Sequence, residues 1–273
     1  SLDGGTGQDT AVYAGNAGDY RLAWDSGRLT VTDINAGDGD EGTDQLFGIE
    51  TLQFADRSLS LKPSELRVNT TTANDQENAA VTALSDGGWL VVWNSNAGTD
   101  SDVYAQRYNS NGSAVGAEVR INSTLTGGQD LPAVTALNDG GWLVSWSSWS
   151  EGSDDSSIYT QRYNASGIKV GGEVLVTSIY EGDDPAVTVL NDGGWVVTWQ
   201  AYEAGVQSLG IQGQRYNSSG VAVGGVFTAS STANYADVAE VVALKDGGWL
   251  IGWFNDDGLG NHGIYSQRYA SDG

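Results

Sequence analysis

The chain has 273 residues, with 12 Lys plus Arg against 35 Asp plus Glu, a formal net charge of −23, 39 Gly, three Pro, one His, no Cys and no Met. That balance excludes a phosphate-neutralising nucleic-acid surface, which needs clustered basic residues, and makes cations the natural partners. The missing Cys excludes a disulfide framework and thiolate metal sites, and a single His excludes a multi-His zinc centre; no apolar run reaches the about 18 residues of a membrane span.

The length suggests roughly two domains. Glycine-rich turns between alternating apolar and polar residues predict strands and little helix. No basic-then-apolar leader opens the chain, and the lack of Met even at position 1 marks it as a fragment or a processed product.

Residues 1–59 form the first expected unit. Gly4-Gly5-Thr6-Gly7-Gln8-Asp9-Thr10-Ala11-Val12 fits a calcium-binding nonapeptide of parallel β-rolls: the glycines permit positive φ and expose carbonyls, and Asp supplies a hard oxygen. A hairpin follows, Tyr20 to Trp24 and Leu29 to Thr32, then an acidic loop from Asp38 through Asp40 to Asp44, then Ile49-Glu50-Thr51-Leu52-Gln53-Phe54-Ala55-Asp56. This order closely resembles the segment that ends RTX calcium-binding arrays in secreted bacterial proteins. The resemblance implies type I secretion, an extracellular or cell-surface site and calcium-dependent folding. Asp9, Asp38, Asp40 and Asp44 are the expected calcium ligands here.

From residue 60 the chain repeats. Asp-Gly-Gly-Trp begins at Asp86, Asp139, Asp192 and Asp246, at intervals of 53, 53 and 54 residues, and Gln-Arg-Tyr recurs at 106–108, 161–163, 214–216 and 267–269. In the second repeat, strands are predicted over Ala133 to Leu137, Trp142 to Ser147, Ile158 to Tyr163 and Glu173 to Val176, separated by turn residues. Four-stranded meanders repeated radially make a β-propeller. The repeats lie near 70–122, 123–177, 178–230 and 231–273, and the last lacks an outer strand. Residues 60–69 align with Ser113 to Asn122, so Glu65 to Asn69 is expected to complete the fourth blade. The expected fold is thus all-β, a four-bladed β-propeller closed by an N-terminal strand and preceded by a small RTX-like β segment. An open solenoid is the competing architecture.

Eight of the ten tryptophans, Trp89, Trp93, Trp142, Trp146, Trp195, Trp199, Trp249 and Trp253, fall at two periodic positions of the second strand. Residues i and i+4 of a strand share a face, so these side chains are expected in the core. The repeated arginines are expected to be inter-blade partners. Positions that break the repeat cluster in the second-to-third loops and blade connections, at one face of the disc. They carry Trp149, Tyr180, Tyr202, Tyr235, Phe254 and His262 beside Asp154, Asp183 and Asp256, among other acids. Rings interleaved with acids suit a glycan or surface-polypeptide ligand with calcium bridging, and those three acids are further expected calcium ligands.

A catalytic triad has no base but His262, and no carboxylate pair stands out by spacing, so the chain reads as not an enzyme. The repeats also resemble those of very large bacterial RTX surface proteins and adhesins. The third departs from the pattern, with Gln212 in place of Tyr and Val226 in place of Glu. The sequence reading is an extracellular, calcium-dependent, monomeric adhesin module without nucleic-acid partners. A structural spacer is its runner-up, and a polysaccharide lyase or glycosidase comes third.

Overall fold

The computed structural model describes residues 1–5, 7–25, 28–35, 37, 42–61, 66–96, 100–149, 156–177, 181–203, 206–230, 236–256 and 262–273. They form two compact units, Ser1–Arg67 and Val68–Gly273.

The first unit holds β1 (Leu2–Asp3), β2 (Thr10–Val12), β3 (Tyr20–Asp25), β4 (Arg28–Asp33), β5 (Thr43–Phe47), β6 (Thr51–Gln53) and β7 (Ser58–Ser60). They pair as two sheets, in the orders β1-β5-β4-β3 and β2-β6-β7. The hairpin predicted around residue 26 is β3 against β4. The Gly-rich turn sits against Gly48 so closely that a Cβ on Gly4 would lie 2.3 Å from the Gly48 carbonyl oxygen. Tyr13, Tyr20 and Phe54 form a ring cluster with centroids 5.0–5.6 Å apart over buried Leu29, Val31, Leu46 and Leu52.

The second unit is the β-propeller. Blade 1 is β8 (Gln76–Ala83), β9 (Trp89–Ser95), β10 (Asp102–Tyr108) and β11 (Ala114–Arg120). Blade 2 is β12 (Gln129–Ala136), β13 (Trp142–Trp149), β14 (Ser156–Tyr163) and β15 (Lys169–Thr177). Blade 3 is β16 (Glu181–Val189), β17 (Trp195–Glu203), β18 (Val206–Tyr216) and β19 (Ala222–Thr228), and blade 4 is β20 (Ala236–Ala243), β21 (Trp249–Asp256) and β22 (His262–Tyr269). Each is an antiparallel meander with its first strand innermost. Residues from β8, β12, β16 and β20 together line one central channel.

The repeated motifs build the blade junctions. Asp139 Oδ1 accepts the Gly141 N–H at 2.9 Å and Oδ2 accepts Arg162 Nη2 at 2.6 Å. Arg162 Nη1 reaches across to the Ser218 carbonyl of blade 3 at 3.2 Å, and its guanidinium stands 5.8 Å from the Trp195 ring centroid. Asp86 and Arg107 repeat this arrangement toward blade 2, over Trp142 and the Ala165 carbonyl. The two glycines serve different needs. Gly140 has φ +83°, which L side chains rarely adopt, whereas a Cβ on Gly141 would stand 2.2 Å from the Tyr163 carbonyl oxygen. Seven of the eight periodic tryptophans are buried, as expected of core; Trp89, on the side of blade 1 away from blade 2, is half-buried.

The fourth sheet has three strands among the described residues. Residues 62–65 lie outside them, and 66–69 carry no strand, so the closing strand expected over Glu65 to Asn69 is not formed among the described residues. The chain nevertheless enters blade 1 as it enters blade 2. Asn69 Nδ2 donates to the Thr71 carbonyl as Asn122 Nδ2 does to Thr124, and Thr70 N–H donates to Glu118 as Ser123 N–H does to Glu173. Val103, Ile158 and Ile211 are each 0% exposed, whereas their blade-4 counterpart Ile264 is 82% exposed.

Candidate active site at the mouth of the central channel

One feature recurs at the start of every inner strand. Glu77, Asp130, Asp183 and Asp237 occupy equivalent positions, facing Asn94, Ser147, Gln200 and Phe254 on the second strands. Directly after each acid the register shifts. Such a bulge bends the strand and re-aims its side chains. In three blades the following residue has positive φ: Asn78 at 53°, Leu131 at 52° and Asp184 at 47°. Left-handed backbone at non-glycine residues costs free energy and gathers at functional sites. Here it turns the strand starts inward at the mouth of a channel of about 470 Å³, lined by all four inner strands, with Asn78, Leu131, Asp184 and Glu240 on its wall.

The convergence concentrates negative charge. The carboxyl of Asp184 is pushed up from 3.8 to about 6, first by burial and then by Asp183, Asp237 and Glu240. Asp130 is also raised, by burial and by Asp183, against a hydrogen bond from Ser101 that pulls the other way. Asp183 Oδ1 accepts hydrogen bonds from Ser147 Oγ at 2.9 Å and from the Asp184 N–H at 2.9 Å, which fix its orientation. Side by side, one carboxyl keeps its proton up to about pH 6 and another is held as a hydrogen-bond acceptor. Such a division of roles equips a site for acid–base work.

The residues expected from sequence fall partly here. Asp183 belongs to the cluster, but its environment is that of an acid beside other acids. Phe254 lies directly opposite Asp237 in the register of β21 and β20, and exposed His262 stacks on Phe254 at 5.3 Å with Nδ1 3.7 Å from Asp256 Oδ2. Trp149, half-buried at the end of β13, donates its backbone N–H to the Gly128 carbonyl at 2.7 Å. Tyr202 is half-buried in β17 opposite Glu181. Tyr180, Tyr235, Asp38, Asp40 and Asp154 lie outside the described residues. Asp44 is in β5, opposite Val31, and Asp9 is in the first unit's turn.

Calcium takes about six to eight oxygen ligands, backbone carbonyls among them. Asp9 Oδ2 is buried without a hydrogen-bond partner, and Glu50 Oε2 accepts the Asp9 N–H at 3.0 Å. Among the described residues no three His, Asp or Glu side chains are arranged to hold a metal ion. Asp9, Asp44, Asp183 and Asp256 belong to no such group among the described residues, and Asp38, Asp40 and Asp154 lie outside them.

No protein-family model matches the chain, and no curated protein matches it. Its structure is similar to the α-L-arabinanase of Penicillium chrysogenum complexed with arabinobiose, with TM-score 0.55, 12% identity, and 71% of this chain and 62% of that one covered. It is also similar to the GH93 α-L-arabinofuranosidase of Fusarium graminearum with arabinobiose, with TM-score 0.55, 14% identity, and coverage of 72% and 63%. A thermostable family-43 glycoside hydrolase matches with TM-score 0.50 and 10% identity over 92% of this chain and 88% of that one. The chain thus spans a little over three fifths of the length of the first two. At these identities the likeness is one of fold, and it confirms the β-propeller class. Two expectations drawn from the sequence, an adhesin module and a chain that is not an enzyme, are corrected to this extent: the solved structures that share the fold are glycoside hydrolases.

The sequence reading placed Asp183 in the variable connections as a calcium ligand and did not single out Asp130 or Glu77 at the equivalent places. Asp130 and Glu77 recur with the blades, and their register before each Ala-Val pair was the available signal.

Proposed function

We propose that the propeller unit is a glycoside hydrolase whose active site is the acidic mouth of the central channel. The observation that carries this reading is Asp184, in strained backbone on the channel wall, with its carboxyl raised to about 6 by burial and three surrounding acids. Glycosidic bonds are commonly cleaved by two carboxyl groups, one protonating the leaving oxygen and one acting from the other side of the sugar. Asp184 is the proton donor. Asp183, oriented by Ser147 and the Asp184 N–H, is the carboxylate that assists attack at the anomeric carbon. Phe254, beside Asp237, offers a ring face against which a sugar packs.

The likeness to an arabinanase and an arabinofuranosidase supports arabinose-containing polysaccharides as the substrate class. Such polymers do not cross membranes, which fits an extracellular site of action. Among the described residues no helix is long and apolar enough to cross a membrane.

The test is reducing-sugar release from arabinan, arabinoxylan, xylan, galactan and β-glucan by the purified chain and by Asp184→Asn. Release by the parent and not by the variant is expected. A folded parent that releases nothing from any of the five polymers overturns the proposal.

A further inference from the structure

Adjacent blades leave a groove between the outer half of one and the Trp–Tyr stack of the next. Between blades 1 and 2 it measures about 220 Å³, with Ala105, Val119 and Arg107 on one side and Trp142 and Tyr163 on the other. Between blades 2 and 3 it measures about 270 Å³, with Thr160, Val174, Arg162, Trp195 and Tyr216 in the same places. These pockets are repeats of one site and stand apart from the channel mouth.

Between blades 3 and 4 the protein supplies its own occupant. Phe227 takes the position of Val119 and Val174, and directly across the strand pair Gly213 takes that of Ala105 and Thr160. The Phe227 ring lies over Gly213, where a Cβ would stand 2.6 Å from it, and packs against Tyr269 with centroids 5.0 Å apart, tilted by 51°. Tilted ring pairs at this distance are favourable beyond the area they bury. Phe227 enlarges the side chain and Gly213 removes its neighbour's, and together they seat an aromatic ring where the other two junctions are left open.

We propose that the two open grooves are binding sites for aromatic side chains of a polypeptide partner, each received as Phe227 is received at the third junction. The ring enters between Val119 and Tyr163, or between Val174 and Tyr216. The pocket volumes exceed the roughly 150 Å³ of an apolar cavity that holds benzene. The adjoining strands β11 and β15 are sheet edges, each paired on one side only among the described residues, so an extended chain can lie beside them with its backbone satisfied. This site is independent of the proposed hydrolase activity.

The probe is N-acetylphenylalanine methylamide, titrated into the chain with ¹³C-labelled Val methyls, with N-acetylleucine methylamide and toluene as comparison arms. Ring-current shifts are expected at Val119 and Val174 with the Phe probe. They should be lost singly in Ala105→Gly/Val119→Phe and in Thr160→Gly/Val174→Phe, whose introduced rings fill one groove each. Phe227→Val should open the third junction and add shifts at Val223. That variant tests the site even where a filling variant fails to fold. The absence of shifts at both grooves, equal binding of the Leu probe, or binding of toluene without binding of the Phe probe overturns the proposal.

Discussion

Arg162 Nη2 donates to Asp139 Oδ2 at 2.6 Å while its other terminal nitrogen, Nη1, donates to the Ser218 carbonyl of the next blade at 3.2 Å. One planar guanidinium thus ties a turn, a neighbouring backbone and the face of Trp195 together. The ion pair is partly exposed, with side chains 24% and 49% accessible, so it contributes about 0.2–1 kcal/mol, and the cation–π contact adds about 0.5–2 kcal/mol. Arg162→Met is expected to cost about 1–2 kcal/mol, read from urea midpoints. Arg162→Lys should recover less than half, because an ammonium cannot present a fork to two acceptors and a ring. A midpoint unchanged in Arg162→Met would show that the junction holds without this residue.

Acid should loosen the same junctions. Burial alone would raise the Asp139 carboxyl, but hydrogen bonds from the Gly141 N–H and from Arg162 outweigh it and hold the carboxyl below 3.8. A lowered folded value contributes stability above the ordinary carboxylate range that is lost as pH falls through the folded value. The difference in melting temperature between the parent and Asp139→Asn is therefore expected to be largest near neutrality and to shrink below pH 4. A difference independent of pH would assign the effect to packing.

Asp184→Asn should reduce kcat on the responsive polysaccharide by about 10²–10⁴-fold, the range for removing a general acid, with the circular dichroism unchanged. In the parent, kcat/KM should fall as pH rises through about 6, where the donor loses its proton. Activity that stays flat from pH 5 to 8 would exclude Asp184 as the proton donor.

Stability should show the opposite sense to Asp139. The folded Asp184 carboxyl is raised from 3.8 to about 6, so its contribution is present below the ordinary value and is lost as pH rises through the folded one. Asparagine carries no such charge. Asp184→Asn should therefore melt close to the parent at pH 4 and above it at pH 8, with the gap opening above about pH 4 and complete just above pH 6. Matched melting curves at both pH values would show that the carboxyl is not strained by its neighbours.

The period of Asp139-Gly140-Gly141-Trp142 makes the blade count and the buried tryptophans legible in the sequence, because a residue used once per blade prints its spacing directly. Loop variability also points to the end of the blades where the proposed site lies, since Phe254, His262 and Asp183 fall near the ends of their strands. The acid cluster is not legible in the same way. Asp130, Asp184 and Asp237 are about 50 residues apart, and only the inner-strand bulges bring their fields together. The Phe227–Gly213 exchange is visible as two departures from the repeat, but their meaning depends on the strand register that sets one opposite the other.

The same register makes the open edge measurable. Ile211 is 0% exposed in blade 3, and its counterpart Ile264 is 82% exposed in blade 4. Truncating a buried isoleucine to alanine costs about 2–5 kcal/mol, through lost burial and the cavity left behind, whereas exposed substitutions stay within about 0.5 kcal/mol. Ile211→Ala is expected in the first class and Ile264→Ala in the second, both read from urea unfolding of the full chain. If Ile264→Ala instead costs as much as Ile211→Ala, another strand covers the edge of β22 in solution. The segment around Asn69, which already repeats the local hydrogen bond of Asn122, is then the one to truncate next.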